Sequence, residues 1–136
     1  MDKSKIIAVD FDGTLCENKY PDIGRPNKDM LHYIKKRKRN GCKIILWTCR
    51  NGELLDNAVK WCKAHGLEFD AVNENLPEII ELFGSDTRKI FANLYIDDRA
   101  YGKFRCAPLL YFVNGVHRNP NNGIKKGEIL NQLEEN

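Results

Sequence analysis

Asp10-Phe-Asp-Gly-Thr14 follows directly on the apolar run Ile6-Ile-Ala-Val9, and Asp97-Asp-Arg99 follows on Ala92-Asn-Leu-Tyr-Ile96. Alternate residues of an extended chain point to one side, so Asp10 and Asp12 face one spot. Two carboxylates placed in this way repel. Either one of them holds a proton or a cation sits between them. Trp47-Thr-Cys-Arg50 closes a further apolar run, and Arg88-Lys89 precedes the second acidic pair. Oxygen ligands of this kind suit Mg²⁺, which is held by few carboxylates together with water and phosphate oxygens. A cation with a hydroxyl, a lysine and backbone N–H groups makes a site for phosphate. An aspartate is ionised at neutral pH, with an unperturbed pKa of about 3.9. It can attack phosphorus with no base to activate it. A second aspartate of raised pKa can then protonate the leaving oxygen.

The elements that must bring these residues together are short apolar runs alternating with helical patterns. Ile6–Val9 and Lys43–Trp47 read as strands buried on both faces. Phe69–Val72, Ala92–Ile96 and Leu109–Val113 complete five expected strands. Asn27 is placed to cap a helix running through Arg39, with Met30, Leu31 and Ile34 on one face and Gly41 beyond its end. Leu54, Leu55, Ala58, Val59 and Cys62 form a helical stripe that Gly66 closes. Asn75 and Pro77 are expected to open a shorter helix carrying Ile79, Ile80, Leu82 and Phe83, and a last helix holds Ile129, Leu130 and Leu133. Strands alternating with helices predict an α/β fold: a three-layer, doubly wound parallel sheet. Such sheets bind ligands outside the carboxyl ends of their strands, where the acidic residues fall.

With these motifs in view, Asp10-Phe-Asp-Gly-Thr-Leu15 resembles the first signature of the haloacid dehalogenase-like (HAD) phosphatases. Thr48 resembles the second, Lys89 the third and Asp97-Asp98 the fourth, in the family's order from Ile6 to Val113. The resemblance implies a Rossmann-like HAD core of strand order 5-4-1-2-3. It implies that Asp10 is the nucleophile, forming an aspartyl-phosphate, and that Asp12 is the general acid/base and binds Mg²⁺ through its backbone carbonyl. Asp98 is then the direct acidic ligand of Mg²⁺, with Asp97 acting through water or by positioning. Thr48 and Lys89 hold the phosphoryl oxygens. The Cys49 backbone N–H is expected to face the phosphate, and Arg50 either binds substrate or pairs with Glu53 or Asp98. Arg99 is expected to pair with a carboxylate. Family members usually carry a cap domain. Here Cys16 to Arg25 offers room for a flap alone, and the 41 positions from Thr48 to Lys89 are filled by core elements. The chain therefore resembles the small capless members. Thr48-Cys-Arg50, Asp86-Thr-Arg-Lys89 and Asp97-Asp-Arg99 are also similar to segments of polynucleotide-kinase 3′-phosphatase domains.

At 136 residues the chain is expected to be one domain, 1–136, with a tail over 114–136. Hydrophobic residues at 42% and a net charge of +3 exclude a disordered chain. The longest apolar run, Ala107–Val113, is too short for a bilayer, which needs about 18 residues or more. With no secretory signal at Met1–Lys5, a cytoplasmic protein with reduced cysteines is the expectation. The basic run Lys35–Arg39 reads as a solvated helix face or as a track for a nucleic-acid backbone. The function expected is Mg²⁺-dependent hydrolysis of a phosphomonoester. A phosphorylated small molecule is favoured over nucleic acid as substrate, with a homo-oligomer as a way of covering an open site. A phosphotransferase and a non-catalytic phospho-receiver are the alternatives. In a receiver the acidic pair ends the first strand and the phosphorylated Asp a later one, the reverse of the order here.

Overall fold

The computed structural model describes Lys5–Ala100, together with the backbone of Phe104–Cys106 and Leu109–Tyr111. Strands β1 (Ile6–Val9), β4 (Lys43–Leu46), β5 (Ala71–Val72) and β6 (Leu94–Ile96) form a parallel sheet in the order β5-β4-β1-β6. Between β1 and the first helix runs an antiparallel hairpin, β2 (Cys16–Lys19) and β3 (Asp22–Pro26). This is the segment in which the sequence leaves room for a flap. Helices α1 (Lys28–Arg39), α2 (Gly52–Ala64) and α3 (Pro77–Phe83) complete the elements up to β6. No helix among the described residues is long and apolar enough to cross a membrane.

The sheet is buried on both faces because its central strands are apolar throughout, apart from exposed Lys43 at the start of β4. Ile7 and Val9 of β1 pack with Met30, Leu31 and Ile34 of α1 and Ala58 and Cys62 of α2. Ile6 and Ala8 point the other way, into a second cluster with Ala71, Leu76 and Ile90, against which Ile79 of α3 packs. Helices therefore cover both faces. Val9 pairs with Leu46 on one side and with Ile96 on the other. Strands β1, β4 and β6 thus end side by side, and the residues that follow them meet.

Side chains finish the ladder at the amino-terminal end of the strands. Asp70 Oδ2 accepts from the Ile44 N–H at 2.8 Å, and Asn93 Oδ1 accepts from the Ile6 N–H at 2.7 Å. These bonds take the place of ladder bonds, which is why β5 and β6 are shorter than the expected Phe69–Val72 and Ala92–Ile96. Asn27 caps α1 as expected, accepting from the Met30 N–H at 3.2 Å. Asn75 does not cap α3; Leu76 stands at that position. Asn75 is instead buried, and its side chain ties down the segment from Asp86 to Phe91. It donates to Asp86 Oδ1 at 2.7 Å and accepts from the Phe91 N–H at 2.7 Å. The fifth strand expected in the parallel sheet is not found there. Leu109–Tyr111 forms β8, which pairs antiparallel with β7 (Phe104–Cys106) in a separate two-stranded sheet, so the parallel sheet among the described residues has four strands. Phe112, Val113 and the expected helix in 114–136 lie outside the described residues.

Asn75→Ala leaves the Phe91 N–H without its partner and removes the side-chain bond to Asp86, which keeps only the backbone N–H of residue 75. An unsatisfied group costs roughly 1–3 kcal/mol. The expected outcome is a fall of the urea midpoint at unchanged slope; an unshifted midpoint would remove Asn75 as the anchor of this segment.

Candidate functional site

The turn after β1 is wound tightly. The Phe11 carbonyl accepts from both Thr14 N–H, at 3.1 Å, and Leu15 N–H, at 2.9 Å. The backbone at Gly13 has φ of +84°, a conformation that glycine adopts without steric cost. A Cβ there would lie 2.1 Å from Asp98 Oδ2, so Gly13 also makes room for the carboxylate of Asp98. Buried Thr14 fastens the two strand ends together. Its hydroxyl donates to Asp10 Oδ2 at 3.3 Å and accepts from the Asp98 N–H at 3.1 Å. The Asp10 N–H in turn donates to the Ile96 carbonyl at 2.9 Å.

These bonds gather three carboxylates. One oxygen each from Asp10, Asp97 and Asp98 lies within 4.8 Å of the others. Burial, then the charge of Asp97 and the hydrogen bond with Asp98, push the Asp10 carboxyl up from 3.8 to about 8. An all-oxygen, half-buried set with this much uncompensated repulsion fits a small hard cation. Asp12 stands apart from the three. Both of its carboxylate oxygens accept from Arg50, Oδ2 from Nε and Oδ1 from Nη2, each at 2.8 Å. Arg50 is 1% exposed. Two further bonds go to the hairpin, Nη1 to the Pro21 carbonyl at 3.1 Å and Nη2 to the Asp22 carbonyl at 2.9 Å, and Nη1 also donates to the Leu54 carbonyl of α2 at 3.5 Å. Its guanidinium lies over the rings of Phe11 and Tyr20, at 5.1 and 5.2 Å from their centroids.

The loop after β4 is braced by Asn73. Its Oδ1 accepts from the Thr48 N–H at 2.8 Å, and its Nδ2 donates to the Arg50 carbonyl at 3.3 Å. Asn73 sits at φ of 54°, a left-handed conformation that Asn tolerates better than most residues. The Thr48 hydroxyl accepts from the Arg50 N–H at 3.1 Å, which leaves its own hydrogen to donate elsewhere.

A cleft of about 380 Å³ opens over these strand ends. Asp10, Asp12, Asp97, Asp98, Thr48 and Cys49 line it, as the sequence led one to expect. Asn18, Tyr20 and Arg99, all exposed, complete its mouth. Two expected phosphate ligands are not among the lining residues. Arg50 is committed to Asp12 and the hairpin, so its expected contact with phosphate is replaced by a buried ion pair. Lys89 is exposed, with its Nζ 5.6 Å from the centroid of the Tyr95 ring. The hydrogen bonds of Asn75 to Asp86, Thr87 and Phe91 hold the segment that carries it. Among the described residues, Arg99 is the cation that lines it. Arg99 was expected to pair with a carboxylate; its backbone N–H does meet Asp97 Oδ1, at 2.9 Å, while its side chain lies at the mouth.

The basic run is also largely engaged within the fold. Arg37 is 1% exposed, Lys35 Nζ donates to the His65 carbonyl at 3.0 Å, and Lys38 Nζ donates to the Glu68 carbonyl and lies 3.7 Å from Asp70. His65 ends α2, where a cation is favourable. Lys36 and Arg39 are the exposed members of the run, so it is not a wholly solvated face.

Between about pH 4 and pH 8 the metal-free folded protein holds a proton on the Asp10 cluster that the unfolded chain has lost. Its stability therefore falls as pH rises through that window. Melts in chelator at pH 5 and pH 9 are expected to show a lower Tm at pH 9, and Asp10→Asn is expected to flatten the difference. A slope equal in both proteins would place the titration elsewhere.

Comparison with known proteins adds one relationship. No family model matches the chain, and no curated protein does. A solved structure described as that of the conserved protein coded by locus from Bacteroides thetaiotaomicron is similar, with a TM-score of 0.67 and 45% sequence identity. The match covers 76% of this chain and 83% of that one. At that identity and coverage, the chain belongs to the same family as this conserved Bacteroides thetaiotaomicron protein.

Proposed function

We propose that the chain is a Mg²⁺-dependent phosphomonoester hydrolase that works through an aspartyl-phosphate on Asp10. The observation that carries this reading is the meeting of Asp10, Asp97 and Asp98 in the cleft that Thr48 also lines. The resemblance of Asp10–Leu15, Thr48 and Asp97-Asp98 to the haloacid dehalogenase-like signatures supports it. So does the sheet, since β5-β4-β1-β6 corresponds to four strands of the order 5-4-1-2-3. The β2–β3 hairpin, standing where one type of cap is inserted, supports a capless domain. The cysteines described are unpaired, in keeping with a cytoplasmic setting.

Asp10, Asp97 and Asp98 would hold the ion, with the Asp12 backbone carbonyl as the resemblance implies. When bound, the ion neutralises the carboxylates and the charge on the phosphoryl oxygens. An Asp10 oxygen then attacks phosphorus, and the bond from phosphorus to the ester oxygen breaks. Asp12, held as a carboxylate against Arg50 in the resting site, first takes a proton from solvent and then gives it to the leaving alcohol. A water next attacks the aspartyl-phosphate at phosphorus and passes a proton to Asp12, which returns it to solvent. The bond from phosphorus to Asp10 breaks, inorganic phosphate leaves, and both aspartates return to their starting states. Arg50 fixes the direction of the Asp12 carboxylate by a two-pronged bond. Each carboxylate oxygen has a second lone pair, so this grip leaves a place for the transferred proton. The Thr48 hydroxyl donates to a phosphoryl oxygen, and Arg99 serves as the cation at the mouth.

Asp10→Asn is expected to lose p-nitrophenyl phosphate hydrolysis by orders of magnitude while keeping its fold, because an amide is a poor nucleophile. Asp12→Asn is expected to be equally inactive yet to bind Mg²⁺ more tightly than Asp98→Asn, as titration calorimetry would read. Undiminished turnover by Asp10→Asn, or equal Mg²⁺ affinity in the other two, would contradict the assignment.

A further inference from the structure

Tyr20 stands at the tip of the β2–β3 hairpin and lines the cleft, yet it is 58% exposed. The core does not hold it there. Its ring rests on the guanidinium of Arg50, itself buried and bonded to Asp12, Pro21 and Asp22. A cation seated on one face of a tyrosine is attracted by the ring's quadrupole. The ring is thereby backed from below by a group that cannot move without disturbing the Asp12 carboxylate. Tyr20 belongs to the wall of the cleft that also holds Asp10. Asn18, on the strand leading into the tip, adds an amide to the same mouth.

We infer that Tyr20 is a stacking platform for the alcohol portion of the substrate, and that the substrate is a small phosphate monoester carrying a planar aromatic ring, of which a nucleoside monophosphate is the fitting class. A single exposed aromatic on a protein surface is ordinary and carries no such meaning. This one differs because its lower face is fixed by the same arginine that orients the proposed acid/base. Tyr20, Asp10 and Thr48 line the same cleft, so a base on the ring and a phosphoryl group at Asp10 would occupy one cavity. Stacking of a base on an aromatic side chain contributes about 1–3 kcal/mol, or roughly 5- to 150-fold in affinity. A free nucleotide is favoured over a nucleic-acid end because Lys35, Arg37 and Lys38 are engaged within the fold. The inference rests on the phosphomonoesterase reading for the position of the phosphate, and its test does not require turnover.

The test is titration calorimetry of the full chain in Mg²⁺ with two phosphonates that cannot be hydrolysed. One is the adenosine monophosphate analogue with carbon in place of the ester oxygen; the other is propylphosphonate, which lacks a ring. The wild type is expected to bind the adenosine compound at least about tenfold more tightly, within the range given for one stacked base. Tyr20→Ala is expected to erase that preference and Tyr20→Phe to keep it. A 3′-phosphorylated single-stranded oligonucleotide is expected to displace the analogue no better than a free nucleotide. Equal affinity for the two phosphonates, a preference that survives in Tyr20→Ala, its loss in Tyr20→Phe, or tighter binding of the oligonucleotide would each overturn the proposal. Failure of the hydrolase reading looks different. It appears as ring-dependent binding without turnover of any phosphomonoester, whereas turnover without ring preference removes the platform alone.

Discussion

Mutual repulsion among Asp10, Asp97 and Asp98 is the constraint on which the rest of this structure turns. Oxygens from the three lie within 4.8 Å of one another, and the Asp10 carboxyl is pushed up to about 8. Nothing local favours such a cluster. It exists because β1 and β6 are neighbours in a parallel sheet and end at the same level. The apolar runs of those strands gain stability by burial on both faces, and the hydroxyl of Thr14 bridges their ends. The sheet thus supplies the stability that holds like charges together. A carboxylate held in this way is poised either to take a proton or to accept a cation.

Arg50 imposes the second constraint. One buried guanidinium holds the Asp12 carboxylate, two hairpin carbonyls and the faces of Phe11 and Tyr20. A buried charge is tolerated when it is paired and its hydrogen bonds are satisfied. Here the pairing also couples the first turn after β1 to the hairpin above it. The position of the hairpin tip and the direction of the Asp12 carboxylate are consequences of the same side chain.

Much of this was legible in the sequence, and what was not has a physical reason. Asp10, Asp12, Thr48, Asp97 and Asp98 could be read because they follow apolar strands, and a parallel sheet aligns such ends. The α1 cap at Asn27 and the α2 stop at Gly66 could be read from local chemistry. Arg50 and Lys89 could not be placed, because the direction of a long side chain beyond a strand end depends on the loop that carries it. That loop depends in turn on Asn73 and Asn75, and a lone asparagine beside a short strand looks like any turn residue. Asp70 and Asn93 shorten their strands by hydrogen bonds that no periodicity reveals. The role of Tyr20 was hidden for a similar reason, since it depends on a partner thirty positions away.

The central claim is that Asp10 carries the phosphoryl group during turnover. The most direct measurement is rapid acid quench during hydrolysis of a phosphomonoester in Mg²⁺, followed by borohydride reduction and peptide mass spectrometry. An aspartyl-phosphate is reduced to homoserine, while an unmodified carboxylate is not. The account predicts homoserine at position 10, dependent on both substrate and Mg²⁺. Reduction at another aspartate, or turnover with no reducible residue at position 10, would contradict it.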